Sequence, residues 1–249
     1  MRQSQAGAEY LIYGINPVQE ILRSDRKVLA VYIQKHAEKN PGRIEELARQ
    51  KHAPVRFVDK DFFEGRFEKG HQGVAASVTP KKTLDIDDMI ETAFAGNSAP
   101  LFLVLDCIED PRNFGAILRV ADAAGVDGVV FQSRRAAGIS PVVYKASAGA
   151  VEYVNLSEVV NIKHAIAKMK EHDVVIAGAE SDAEKGLWDT DLRWPVAIVM
   201  GSEGEGLRQT VRGMCDVMVS LPMKGMVNSL NVSVATGVLA YEVLRQRAR

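Results

Sequence analysis

Five short runs in the rear of the chain are apolar along their length but for Ser220 in the last: Leu101 to Leu105, Gly128 to Phe131, Val174 to Ala177, Val196 to Met200 and Val217 to Leu221. A strand with one wet face alternates apolar with polar residues, so runs without alternation must be covered on both faces. Helical segments separate the runs, which is what parallel strands need for their crossovers. From Leu101 onward the chain therefore reads as α/β with a mostly parallel sheet. Asn113 to Gly125 is a helix with Ile117, Val120, Ala121 and Ala124 as its apolar stripe and Gly125 as its stop. A final helix is expected over Leu230 to Arg247, capped by Ser229, with Val234, Val238 and Tyr241 on one stripe.

The front follows a different rhythm. Leu11 to Tyr13 reads as extended, and Asn16 with Pro17 as the cap and first turn of a helix. A strand at Val28 to Ile33, a helix at Arg43 to His52 and a strand at Val55 to Val58 follow, then a turn capped by Asp59 and an extended run at Gly73 to Val78. This predicts a small α/β domain over residues 1–78. Pro80 with its flanking lysines, and the breakers Gly96 to Pro100, place a linker at 79–97 and a second domain at 98–249.

Composition narrows the class. The 249 residues carry 31 Lys plus Arg against 32 Asp plus Glu, with 47% hydrophobic and 25% charged residues, which excludes disordered and collagenous chains. No stretch approaches the roughly 20 apolar residues of a membrane span. The start, Met1 to Gly7, lacks the apolar core of a secretory signal, so a cytosolic protein is expected. Cys107 and Cys215 form no Cys-x-x-Cys or Cys/His cluster, so neither a disulfide framework nor a metal site is expected, and both are read as reduced and structural. The even charge balance conceals an asymmetry. Residues 1–77 hold 13 basic against 10 acidic side chains, net +3, and residues 78–249 hold 18 against 22, net −4. A mildly basic front suits RNA, although an ordinary solvated surface explains it as readily.

Glycines cluster after a late strand, in Met200-Gly201-Ser202-Glu203-Gly204-Glu205-Gly206-Leu207. The spacing fits neither a dinucleotide fingerprint nor a P-loop, and a Rossmann-type dinucleotide or methyl-donor site puts its glycine turn after the first strand, not a late one. The turn keeps specific company: Asp110-Pro111-Arg112-Asn113-Phe114-Gly115 leading to Arg119 upstream, and Leu221-Pro222-Met223 with Ser229-Leu230-Asn231-Val232-Ser233 downstream. In order and spacing these resemble the three motifs of the SpoU (TrmH-like) family of RNA ribose 2′-O-methyltransferases, within the SPOUT superfamily. The front, with Tyr13-Gly14-Ile15-Asn16-Pro17-Val18 and His71-Gln72-Gly73-Val74, resembles the RNA-binding domain of those members that methylate a guanosine ribose in bacterial large-subunit rRNA. Asn228 departs from the pattern, since many relatives carry glutamate there.

The resemblance implies a deep trefoil knot in the rear domain, S-adenosylmethionine as methyl donor, rRNA as partner, and a homodimer with its site at the subunit boundary. It assigns Asn113, Arg119, Glu203, Ser229 and Asn231 to the catalytic site. It assigns Gly201, Leu221, Met223 and Leu230 to the cofactor. Each has a plainer reading: Arg119 paired with Asp122 on a helix surface, Asn113 and Ser229 as helix caps, Glu203 beside a helix N-terminus, Leu221 and Leu230 in the core. Gly115, one turn before Arg119, is expected to leave a path for substrate. An arginine is effectively never deprotonated, so Arg119 is assigned first to anchoring a phosphate or stabilising a developing alkoxide, with an unusual base role as the alternative. Two rival functions share the fold: the same reaction on tRNA, and a non-catalytic ribosome-assembly protein. The two-domain layout favours rRNA, and the intact set Asn113, Arg119, Glu203, Ser229 and Asn231 argues against the non-catalytic reading.

Overall fold

The computed structural model describes residues 10–36, 41–67 and 70–248; the Met1 to Gly7 start and Arg249 lie outside the described residues. The chain divides into two compact units. In the front unit the elements are β1 (Tyr10–Tyr13), α1 (Ile15–Arg23), β2 (Val28–Gln34), α2 (Gly42–Gln50), β3 (Val55–Val58) and β4 (Val74–Val78). They form a sheet ordered β1-β4-β2-β3, with β4 antiparallel to both its neighbours and β3 parallel to β2. Every residue of central β4 is buried. Asn16 does not cap α1. Gly14 takes that position with φ 99°, which glycine adopts without penalty, and the Gln72 side chain accepts from the Ile15 N–H.

The rear unit begins with α3 (Ile86–Gly96), followed by β5 (Leu101–Leu105), α4 (Pro111–Ala123) and β6 (Gly128–Gln132). After α5 (Pro141–Ala146) come β7 (Leu156–Val159), α6 (Ile162–Glu171), β8 (Val175–Ala179), β9 (Lys185–Gly186), β10 (Val196–Met200), α7 (Gln209–Arg212), β11 (Val217–Ser220) and α8 (Val232–Arg247). Seven strands run in the order β7-β6-β5-β10-β8-β11-β9, all parallel. All five apolar runs are strands of this sheet. Phe102, Val104, Ala197 and Val199 bury one face against Met89 and Ile90 of α3 and Ile166 and Met169 of α6. Among the described residues no helix is long and apolar enough to cross a membrane.

Two features divide the chain differently from the sequence reading. Residues 83–97 are not a linker. Asp85 caps α3, and Ile86, Met89, Ile90 and Ala93 bury a helical stripe that the neighbouring breakers obscured. Residues Ile139–Tyr153, which include α5, belong to the front unit although they lie between β6 and β7. A buried ion pair fixes them there: Arg26 Nη1 lies 2.5 Å from Glu152 Oε1, with side-chain exposures of 7% and 2%. The Tyr144 hydroxyl also bonds Arg26, Ser24 donates to Glu152, and the Lys81 ammonium donates to the Glu152 carbonyl at 2.7 Å. Burial pushes the Lys81 pKa down and that of the Tyr144 hydroxyl up.

The last helix is also rotated from its expected setting. It buries Val232, Thr236, Leu239, Ala240 and Val243, while Val234 and Tyr241 are exposed. The predicted stripe is thus largely the outward one.

A buried charge left alone is costly, so Arg26→Ala or Glu152→Ala is expected to lower stability by about 3–5 kcal/mol. Urea unfolding of each variant checks this. The double replacement by methionine should recover most of the loss, because well-packed apolar residues can substitute for the whole pair.

Candidate active site

Two cavities lie at the carboxyl ends of the parallel strands, where open α/β sheets bind ligands. The larger, about 670 Å³, is bounded by the residues after β8, β10 and β11 and by the start of α8. The second, about 480 Å³, lies between the residues after β5 and the glycine-rich turn after β10. Ser202, Glu203, Glu205 and Val232 line both. The chain leaves β5 toward β6 and β7 on one side and returns to β8 on the other, so the second cavity sits where the strand order reverses.

The glycine-rich turn is closed on itself by paired bonds between the Ser202 and Gly206 backbones, each 3.1 Å. A Cβ on Gly201 would lie 2.2 Å from the Gly206 carbonyl carbon, so only glycine permits this closure. The resemblance assigned Gly201 to the cofactor; in the structure the close approach at this glycine is by the turn's own backbone. Gly204 and Gly206, at φ 94° and 68°, supply the two left-handed positions.

Three segments meet at Asn231. Its side-chain amide donates to Asn113 Oδ1 at 2.9 Å and to Glu203 Oε1 at 2.7 Å, while its own Oδ1 accepts from the Ser233 N–H. Asn231 is therefore the cap of α8, and Ser229 lies two residues upstream on the wall of the larger cavity. Glu203 Oε1 also accepts from the Val232 N–H, so this acid sits at the positive end of α8 rather than of the helix that follows it in sequence. Asn113 does not cap α4 either. Asp110 does, since Pro111 takes the first helical position and leaves the Arg112 N–H for the Asp110 carboxylate at 2.8 Å.

Of the nine sequence-predicted residues, seven line the larger cavity: Gly201, Glu203, Leu221, Met223, Ser229, Leu230 and Asn231. Asn113 lines the second with Glu203. Arg119 lines neither. It is exposed on α4, with no hydrogen bond or ion pair among the described residues, so the surface pair with Asp122 does not form. Gly115, one turn before it, is buried. Leu230 is 42% exposed, so its core reading fails too.

One pair escaped sequence reasoning. Asp106, fully buried after β5, accepts from the Arg208 backbone N–H at 3.1 Å and from its Nε at 2.8 Å. The available signal was an acid directly ending an apolar strand, because a carboxylate there demands a partner. The pair ties β5 to the end of the glycine turn. Burial, and then the neighbouring Asp106 charge, raise the Cys107 thiol, which keeps it protonated and unreactive near neutral pH.

The larger cavity has the size of a small-molecule site. Its walls divide into an apolar part, Met200, Leu221, Met223, Leu230 and Leu239, and a polar part with Glu180, Asn228 and Ser229. A flat aromatic base suits the first, and hydroxyls and a positively charged sulfonium suit the second. The donor set thus fits an adenosine-containing methyl donor.

The fold and this site define a parallel α/β enzyme with a ligand cleft built from late strands. The profile of the SpoU rRNA Methylase family matches residues 100–241, and that of RNA 2′-O ribose methyltransferase substrate binding matches residues 11–84. A Bacillus subtilis protein, YacO, assigned to the TrmH family of tRNA/rRNA methyltransferases, is 38% identical over 240 residues, covering 96% of each chain. The 23S rRNA (guanosine-2′-O-)-methyltransferase RlmB of Pseudomonas putida is 36% identical over 241 residues, covering 95% of this chain and 96% of its own. Among solved structures, the SpoU methyltransferase AviRb from Streptomyces viridochromogenes, in complex with AdoMet, superposes with a TM-score of 0.83 at 23% identity, covering 99% of this chain and 92% of that one. An RNA 2′-O ribose methyltransferase does so with 0.79 at 28%, covering 100% and 93%.

The chain belongs to the SpoU rRNA methylase family. It is accordingly an S-adenosylmethionine-dependent RNA methyltransferase.

Because the clash at Gly201 is with backbone, Gly201→Ala is expected to open the turn, abolish donor binding and lower the melting temperature. Calorimetry with S-adenosylmethionine and a thermal melt check both effects.

Proposed function

We propose that this chain methylates the ribose 2′-hydroxyl of a guanosine in large-subunit (23S) rRNA. The observation that carries the reading is the Asn113–Asn231–Glu203 cluster at the wall shared by a donor-sized cavity and a second open cavity. That arrangement suits two substrates meeting at one point. The relatives named RlmB, in Pseudomonas, Pasteurella, Yersinia and Shewanella, support rRNA guanosine as the target.

The donor supplies an electrophilic methyl group on a good leaving group, so the protein's task is positioning and charge stabilisation. Gly201, Leu221, Met223 and Leu230 hold the adenosine part, with Ser229 at the polar end. Glu203, whose Oε1 is taken by Asn231 and the Val232 N–H, fixes the α8 terminus and the Asn231 amide. Asn113 and Asn231 orient the ribose. The trefoil knot implied by the resemblance belongs to the same proposal.

Arg119 completes the site from a second copy of the chain. A Cβ on Gly237 would lie 3.7 Å from Val120, the neighbour of Arg119, and the Tyr241 hydroxyl reaches the Ala123 carbonyl, so α4 and the outward side of α8 form one continuous surface. Val234 and Tyr241, 51% and 53% exposed there, are the apolar patch that a homodimer would cover. Pairing on this surface takes Arg119 to the partner's cavities, where a planar guanidinium suits a phosphate or developing alkoxide.

The test is methyl transfer from labelled donor to deproteinised rRNA, partly assembled large subunits and tRNA. Incorporation into one rRNA guanosine is expected. Incorporation only into tRNA moves the target, and none on any RNA overturns the function. Arg119→Ala should keep donor binding and lose about a hundredfold or more in rate, the scale of removing an electrostatic stabiliser. Arg119→Lys should recover little, since the planar fork is lost. Mixing the Arg119→Ala and Asn231→Ala proteins should restore activity if each site spans two copies; a fully active monomer by light scattering would refute the shared site.

A further inference from the structure

We infer that one face of the front sheet, where stacked aromatic rings lie beneath Arg56 and Arg66, docks unpaired bases of the RNA substrate; this rests on the RNA-directed function proposed above. Tyr32 on β2 and Arg56 on β3 are register partners. The Arg56 guanidinium lies 5.8 Å from the Tyr32 ring centroid, and Tyr32 stacks on Phe62 with centroids 4.6 Å apart and planes at 21°. Arg66 closes the other end, 4.5 Å over Phe62. The result is a ladder of cation, ring, ring, cation. It continues through Phe67 to Tyr13, over which the Lys145 ammonium sits at 5.4 Å.

What sets the two arginines apart is that each lies over an aromatic ring without a carboxylate partner among the described residues. Arg23 is bound to Glu20, Arg26 to Glu152, Lys35 to Asp59 and Lys60 to Glu64. Arg56 and Arg66 are exposed and have no carboxylate partner or hydrogen bond among the described residues. Each guanidinium lies over a ring, and its cationic plane and N–H donors have no other partner among the described residues. The ligand class that takes both is one with flat π-faces and negative charge on the same backbone. RNA meets that description. An intact duplex hides its base faces, whereas loops and single strands offer them for stacking on aromatic and guanidinium planes. Tyr32 and Phe62 are half-buried, so the rings brace the arginines, and the arginines make the contact.

The alternative is that the arginine stems only cover apolar rings. Two full-length double variants separate the readings: Arg56→Met with Arg66→Met keeps the cover and removes charge and plane, and Arg56→Lys with Arg66→Lys keeps charge and removes the plane. Binding of an unstructured RNA oligonucleotide and of its duplex is measured by fluorescence anisotropy at two salt concentrations, with a thermal melt and S-adenosylmethionine titration alongside. The methionine pair should bind the unstructured RNA about tenfold or more weakly, with a shallower salt dependence. The lysine pair should lose affinity while keeping the salt dependence, and donor binding should match the parent in both. Unstructured-RNA affinity within about twofold of the parent in both variants overturns the inference, since loss of stacking alone exceeds that. Methyl transfer by the unaltered protein is read separately. If it modifies rRNA while the variants bind normally, the docking surface falls and the function stands; if it modifies no RNA, the function falls, and the inference with it.

Discussion

The side-chain amide of Asn231 holds together three chain segments that are far apart in sequence: the first turn of α4, the glycine-rich turn after β10, and the start of α8. Each segment leaves the carboxyl end of a different parallel strand. None could hold the geometry alone, because a loop at a strand end has no ladder to fix it. Glu203 does double duty, accepting from Asn231 and from an otherwise orphaned N–H of α8. Asp106 performs the matching task one layer deeper, where its buried carboxylate clamps Arg208 and so fixes the far end of the glycine turn. The two cavities exist because these carboxylates hold their walls in place.

What was legible in the sequence follows from how strongly physics restricts each choice. A run such as Leu101 to Leu105 or Val196 to Met200 has no polar face to turn outward, so its place in a doubly covered sheet follows almost without alternatives. Edge strands carry no such mark. Leu156–Val159 contains the exposed Glu158, Lys185–Gly186 is two residues long, and neither was visible as a strand. Helix caps were ambiguous for a related reason. Asp110 and Asn113, or Ser229 and Asn231, are all competent side chains, and what selects among them is where the helix can begin. Pro111 decides the first case. In the second, residues 221–231 stay non-helical until Asn231 meets Glu203, a tertiary contact no local pattern reveals.

The site residues were legible as a set only through their motif resemblance, and their arrangement was not. Periodicity alone put Val234, Val238 and Tyr241 on one stripe of α8, and an apolar stripe is normally a buried one. This helix is apolar on more than one side, and the sheet claimed Leu239, Ala240 and Val243 instead. The segment Ile139–Tyr153 was similarly opaque. It joins the front unit through Arg26 and Glu152, residues separated by more than half the chain, and a charge pair that distant leaves no local trace. The chain therefore crosses between its two units three times, so neither unit is a contiguous piece of sequence.

That connectivity matters because the two units carry opposite charge. Glu180, Asp182, Glu203 and Glu205 line the larger cavity, with Arg212 drawn onto Glu180 at 2.7 Å. An acidic cleft favours a cationic sulfonium donor, yet the same field opposes a polyanion approaching to receive its methyl group. In the proposed reaction, affinity for RNA must then come from elsewhere, and the front unit's spare arginines answer that need. In this proposal recognition and chemistry are separated because one electrostatic field cannot serve both substrates, and the buried Arg26–Glu152 pair ties Ile139–Tyr153 into the basic unit.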